Sequence, residues 1–213
     1  MARGGRGGST TAVLVALGLG AAAIACRAPA EPAPAPPAAP PPARFLPGLG
    51  TYHRPISTRS AEAQRWFDQG LRLTYAFNHD EAERSFRQAA ALDPQCAICF
   101  WGVALVLGPN INLPPLPERA RAAYAASRQA QALAGQASPV ERALIEAVGW
   151  RYASEPPRDP IEQRKLDLAY ADRMRIATKT FSDDPDVAAL AAEALMDLRP
   201  WDLWQPDGRP QPG

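Results

Sequence analysis

Residues 63–94 read AQRWFDQGLRLTYAFNHDEAERSFRQAAALDP. The stretch spells two amphipathic helices joined by a short turn. Gly70 and Ala82 are small where the two helices of a hairpin must approach closely. Trp66 and Phe86 fill the space beside that contact, and Ala89 leaves room for the next unit. Pro94 ends the second helix, because proline lacks an N–H and pushes the residue before it out of the helical region. Ser60 is a good N-cap with Glu62 in the first turn, which predicts a first helix from 60 to about 77. Asn78-His79-Asp80-Glu81 has the form of a capping box and opens a second helix that runs to about 92.

Trp66, Gly70, Ala82, Phe86, Ala89 and Pro94 stand at the spacings of a tetratricopeptide (TPR) repeat, a helix–turn–helix unit of about 34 residues. The stretch resembles one such repeat. Leu73 occupies the place where the motif prefers an aromatic, with Tyr75 and Phe77 nearby. Phe100 and Ala104 follow Trp66 and Gly70 at the same 34-residue offset. The segments FNHDEAERSF, DPQCAICFWG and GPNIN also resemble those of bacterial TPR-containing proteins of unassigned role. The resemblance implies an all-α domain over residues 60–204, with antiparallel hairpins stacked as a right-handed superhelix (an α-solenoid). A fold of this kind does not by itself fix a function.

Five more helices are announced by their ends. A third covers 96–107 and stops at Gly108-Pro109; a fourth follows the loop PNINLPPLP and runs 118–134, closed by Gly135. Ser138-Pro139-Val140-Glu141 and Asp159-Pro160-Ile161-Glu162 each give an N-cap, a proline at the first helical position and a capping-box Glu; Asp184-Pro185 repeats the first two parts. These helices are expected to reach about 152, 180 and 198. Seven helices make three hairpins and one unpaired helix. Residues 201–213 carry Trp201 and Trp204 with no element to bury them. The chain therefore reads as the N-terminal portion of a longer array, with a short capping tail as the alternative.

The N-terminal residues read differently. Arg3 and Arg6 precede the apolar run AVLVALGLGAAAIA, which is shorter than the roughly 20 residues needed to span a bilayer. This is the pattern of a secretory signal over 1–25. Ala23-Ile24-Ala25-Cys26 resembles a bacterial lipobox with Ala23 where leucine is usual, implying cleavage before Cys26 and lipid attachment to its sulfur; a plain cleavage leaving a free Cys26 is the alternative. Residues 26–44, rich in Pro and Ala, form a tether too poor in apolar surface to fold. Residues 45–59 (FLPGLGTYHRPISTR) form a lead-in loop whose Phe45, Leu46, Tyr52 and Ile56 are apolar enough to cap the first repeat.

The chain of 213 residues has 23 basic and 22 acidic side chains, a balance that argues against nucleic acid as a partner. Its two histidines, His53 and His79, fall in no triad spacing, and no phosphate loop or paired metal-binding positions are seen on a helix. No constellation calls for an enzyme or a cofactor. The pointed feature is Cys96-Ala97-Ile98-Cys99 at a helix N-terminus. Haem attachment would need His where Phe100 stands, and a thioredoxin-like site would need a preceding strand. A metal site could join His79 to Cys96 and Cys99, with only His53 left as a fourth ligand. Two small buried hydrophobes, a static disulfide and a redox pair remain open.

In TPR proteins the first helix of each hairpin lines the inner groove. Here the groove candidates are Gln64, Phe67, Leu71, Thr74 and Tyr75, followed by Ile98, Trp101 and Leu105. The Lys/Asn clamp of the chaperone-binding members is missing from these positions. An apolar, aromatic groove suits an extended peptide or a hydrophobic helix. The expectation is an exported, membrane-anchored bacterial envelope lipoprotein acting as a non-catalytic adaptor for a protein or peptide. The alternative is a thiol-redox or metal-handling protein using Cys96 and Cys99.

Overall fold

A computed structural model describes residues 42–211; the signal, Cys26 and most of the tether lie outside the described residues. The described residues form seven α-helices and one short 3-10 turn, with no strand among them. The helices are α1 (Ala61–Tyr75), α2 (His79–Leu92), α3 (Ala97–Leu107), α4 (Pro117–Leu133), α5 (Pro139–Gly149), α6 (Pro160–Thr180) and α7 (Pro185–Met196). No helix among the described residues is long and apolar enough to cross a membrane.

Local sequence explains most of the boundaries. Ser60 caps α1 by accepting from the Ala63 N–H. Ser138 and Glu141 form the expected capping box around Pro139 at the start of α5. Asp159 and Asp184 cap α6 and α7, each with proline in the first turn. Asn78 is an exception: it precedes α2 without any side-chain cap bond, so the capping-box pattern there is not realised. Instead the chain turns at Phe77, whose φ of 56° lies in the left-handed region. Helix α4 also ends one residue early, and Gly135 sits in the 3-10 turn Ala134–Gln136.

Each helix packs on the next in sequence, and α1 also packs on α3 and α3 on α5. Helix α3 is central to this arrangement and is apolar nearly all round, as a helix with neighbours on every side must be. The tightest point lies where α1, α2 and α3 meet. The Phe86 ring of α2 is fully buried between two glycines, Gly70 on α1 and Gly102 on α3. A Cβ added at either would come within 2.7 Å or 2.5 Å of the ring. Phe67 and Trp101 complete the cluster, with ring centroids 5.3 Å from Phe86 and 6.4 Å from Phe67 respectively.

Such a wedge makes a specific demand on sequence. Gly102→Ala should destabilise the domain by about 1–2 kcal/mol, because overpacking against an immobile ring outweighs the gain in helix propensity. Urea denaturation of the two proteins measures this difference.

Candidate functional site

Residues Gln64, Asp68 and Arg72 are spaced four apart on α1 and share one face, with Gln69 beside them. The chain over 44–58, which forms no helix or strand and turns at 47–49, lies along this face. Chain of this kind leaves most of its backbone groups without internal partners, so something else must supply them. Gln64 does so twice: its Oε1 accepts from the Ile56 N–H at 3.0 Å and its Nε2 donates to the Arg54 carbonyl at 2.8 Å. Asp68 Oδ1 accepts from the Arg54 N–H at 3.1 Å, and its Oδ2 lies 2.7 Å from His53 Nδ1. Arg72 Nε donates to the Tyr52 carbonyl at 2.7 Å. Gln69 accepts from the Leu46 N–H and donates to the Arg44 carbonyl, both at 2.9 Å. The outer end of the segment is held by stacking of Phe45 on Trp66, with the Arg65 guanidinium over the Phe45 ring, 4.5 Å from its centroid.

The segment also reaches two later helices. Ser57 donates its N–H and Oγ–H to the buried Glu141 carboxylate of α5, at 2.7 and 2.5 Å. The Arg54 side chain, 10% exposed, extends to the N-terminus of α7. Its guanidinium forks onto both Asp184 oxygens, at 2.8 and 2.9 Å, and donates to Asp186 Oδ2 at 2.6 Å. Tyr75, at the end of α1, donates its hydroxyl to the other Asp186 oxygen at 2.5 Å.

The electrostatics follow from these contacts. Burial opposes the Arg54 charge, yet the hydrogen bonds it donates to Asp184 and Asp186 raise its pKa above the ordinary value. For Asp184 burial acts upward, but the Arg54 hydrogen bond and the α7 backbone N–H groups hold the carboxyl below its usual range. Burial and then the Asp186 carboxylate raise the Tyr75 phenol, and the same causes push Tyr52 to about 12. All of these groups keep their ordinary neutral-pH charge. The arrangement can hold a polypeptide through its main chain.

The groove residues expected from the sequence divide sharply. Gln64 and Tyr75 face the extended segment. Phe67, Leu71, Ile98, Trp101 and Leu105 are buried in the core, none more than 4% exposed, because α1 and α3 pack on each other and on their even-numbered partners. Ile98 nevertheless borders an open pocket of about 500 Å3, together with Ser57, Thr58 and Asp93. Thr74 is buried too, and its hydroxyl donates to the Gly70 carbonyl. Sequence reading singled out Asp184 only as a helix cap, and did not single out Arg54, Asp68, Gln69, Arg72 or Asp186. The available signal was polar residues at one-turn intervals inside a helix that should bury that side.

Cys96 and Cys99 are joined as a disulfide with Cα atoms 5.4 Å apart, and both residues are fully buried. His79 lies elsewhere, with Nδ1 3.0 Å from the Asn110 Nδ2 that donates to it. Burial, then the Arg119 and Arg151 charges, lower its pKa, so the ring is neutral. Asn110 also accepts from the Asn112 N–H, which commits it to its own loop. His79, Cys96 and Cys99 do not converge, and among the described residues no group of three or more His, Cys, Asp or Glu could hold a metal ion. Comparison with family models, with curated proteins and with solved structures gave no match.

Two consequences can be measured. Arg54→Ala leaves Asp184 and Asp186 facing each other without their shared cation and should cost about 3 kcal/mol in urea denaturation. The Asp184 contribution is present above the 3.8 of a free carboxyl and is lost as pH falls through the depressed folded value. Asp184→Asn should therefore lower the melting temperature at neutral pH and shrink the wild-type loss on acidification.

Proposed function

We propose that the chain is a non-catalytic, TPR-type helical-repeat module that holds a protein or peptide at the bacterial cell envelope, exported and anchored through lipid on Cys26. One observation carries this reading: side chains of α1 hold an extended stretch of polypeptide through its main-chain N–H and C=O groups. Recognition through the backbone accepts many sequences, and a few pockets for side chains then supply preference. Here the Asp184–Asp186 pocket takes an arginine. Support for the stacked-repeat architecture comes from helices that pack on their sequence neighbours, with α1 on α3 and α3 on α5. In the proposed module residues 44–58 occupy the peptide-holding surface in cis, and a partner is an extended peptide that competes for the same side chains. The thiol-redox alternative has the Cys96–Cys99 disulfide in its favour but no solvent access to either cysteine.

A labelled peptide with the sequence of residues 44–60 tests the binding half of this proposal. Arg54→Ala and the milder Ser57→Ala both loosen the resident segment without removing any side chain of α1 that holds it. Each should bind the peptide more tightly than the wild-type chain, by about tenfold for Arg54→Ala. Folded variants that bind no better than wild type would sink the idea. For the anchor, Cys26→Ser should abolish incorporation of radiolabelled palmitate and move the protein from the membrane to the soluble fraction.

A further inference from the structure

Helix α6, with 21 residues, is the longest among the described residues. Tyr170, Ala171, Met174 and Ala177 turn one side of it into the core, where it packs on α5 and α7. The opposite side faces solvent, yet it is not uniformly polar. Ile161 is 67% exposed, Ile176 55% and Leu168 40%. Among the described residues no other helix exposes more than one large apolar side chain. Steps of three or four residues place Ile161, Lys165, Leu168, Asp172 and Ile176 on one face, all of them exposed. Single apolar residues scattered over a surface are ordinary, but three along one face of one helix form a stripe with nothing on it.

The charges within the stripe narrow what covers it. A membrane surface takes a helix whose apolar face is flanked by Lys and Arg, whereas this stripe carries one lysine and one aspartate. Their placement is symmetric. Ile161 and Ile176 lie equally far on either side of the midpoint between residues 168 and 169, and so do Lys165 and Asp172. The two charges have opposite signs, so the stripe is complementary to itself reversed. A copy related by a two-fold axis meets that condition, because in such an interface each contact occurs twice with its partners exchanged. Lys165 and Asp172 are engaged only in exposed pairs within α6, with Glu162 at 2.6 Å and Arg175 at 2.7 Å. Exposed pairs of this kind contribute little, which leaves both side chains free to take another partner.

We propose that this face pairs with the same face of a second copy of the chain, α6 against α6 and antiparallel, about a two-fold axis beside Leu168. Lys165 then meets the partner's Asp172, Ile161 meets the partner's Ile176, and the two Leu168 side chains meet at the axis. From Ile161 to Ile176 the contact runs about 22 Å, less than the ~800 Å2 per partner of a standard interface requires, so the dissociation constant is on the order of tens of micromolar. None of these residues belongs to the surface that holds residues 44–58, and the pairing does not rest on the peptide-holding reading of α1.

Sedimentation velocity of the full chain from about 5 to about 500 µM tests the pairing, with a reversible monomer–dimer equilibrium expected. Leu168→Glu should weaken it at least tenfold, and Lys165→Glu and Asp172→Lys should each weaken it by about fivefold, since each puts like charges together twice across the axis. The double variant Lys165→Glu/Asp172→Lys should return to within about threefold of wild type. That rescue separates the proposal from an effect on α6 alone, because the double variant keeps the like charges of both single variants beside Glu162 and Arg175. All three positions are exposed, so far-UV circular dichroism should be unchanged. A wild-type chain that stays monomeric throughout overturns the proposal. So does association that Leu168→Glu leaves unchanged, or a double variant that dimerises no better than the single ones.

Discussion

An extended strand of polypeptide in contact with protein needs partners for every N–H and C=O it turns away from water. Residues 44–58 find such partners in side chains of α1 and in Glu141 of α5, while the Arg54 side chain reaches the start of α7, and much of the rest of the structure is arranged around it. Gln64, Asp68, Gln69 and Arg72 give α1 a polar face in a region where a stacked helix would otherwise be apolar. Glu141 serves two purposes, completing the α5 capping box and accepting from Ser57. Asp184 likewise caps α7 and receives the Arg54 fork. Two helix N-termini are thus stabilised by carboxylates that also bind the segment, so loosening the segment also disturbs the caps.

The opposite side of α1 follows a different rule, that of close packing. Phe86 fits only because Gly70 and Gly102 carry no side chain. Three helices are fixed in register by one ring, and the polar face of α1 is thereby turned toward the segment. The buried Cys96–Cys99 disulfide sits at the start of α3, in the same core. Its position at the N-terminus of the most buried helix accounts for its inaccessibility.

What could be read from sequence was what is encoded locally. Ser138-Pro139-Val140-Glu141 and Asp184-Pro185 name their own helix starts, and the structure places helices there. Gly70 with Phe86 announced a close helical crossing, and the ring does meet that glycine. The turn at Phe77 was harder, because Asn78 has the residue type of a cap without making the bond. The candidate site was less legible. Repeat spacing assigned Phe67, Leu71 and Trp101 to an inner surface, but spacing says nothing about which neighbour covers that surface. The Arg54 contact with Asp184 depends on three-dimensional proximity between loops that have no shared pattern. Trp201 was visible as an aromatic without a burying element, and it is exposed in the structure.

The contact between Arg54 and Asp184 joins residues 130 positions apart in the chain. Neighbouring helices can pair through local contacts soon after they form, whereas this closure must wait until α7 exists to receive it. The bonds from the segment to α1 are local by contrast, 8 to 25 positions apart, and can form as soon as α1 does. In the interval the segment lies on α1 without its anchors on Glu141 and Asp184. The order of assembly gives any competing strand its best access before those anchors are set.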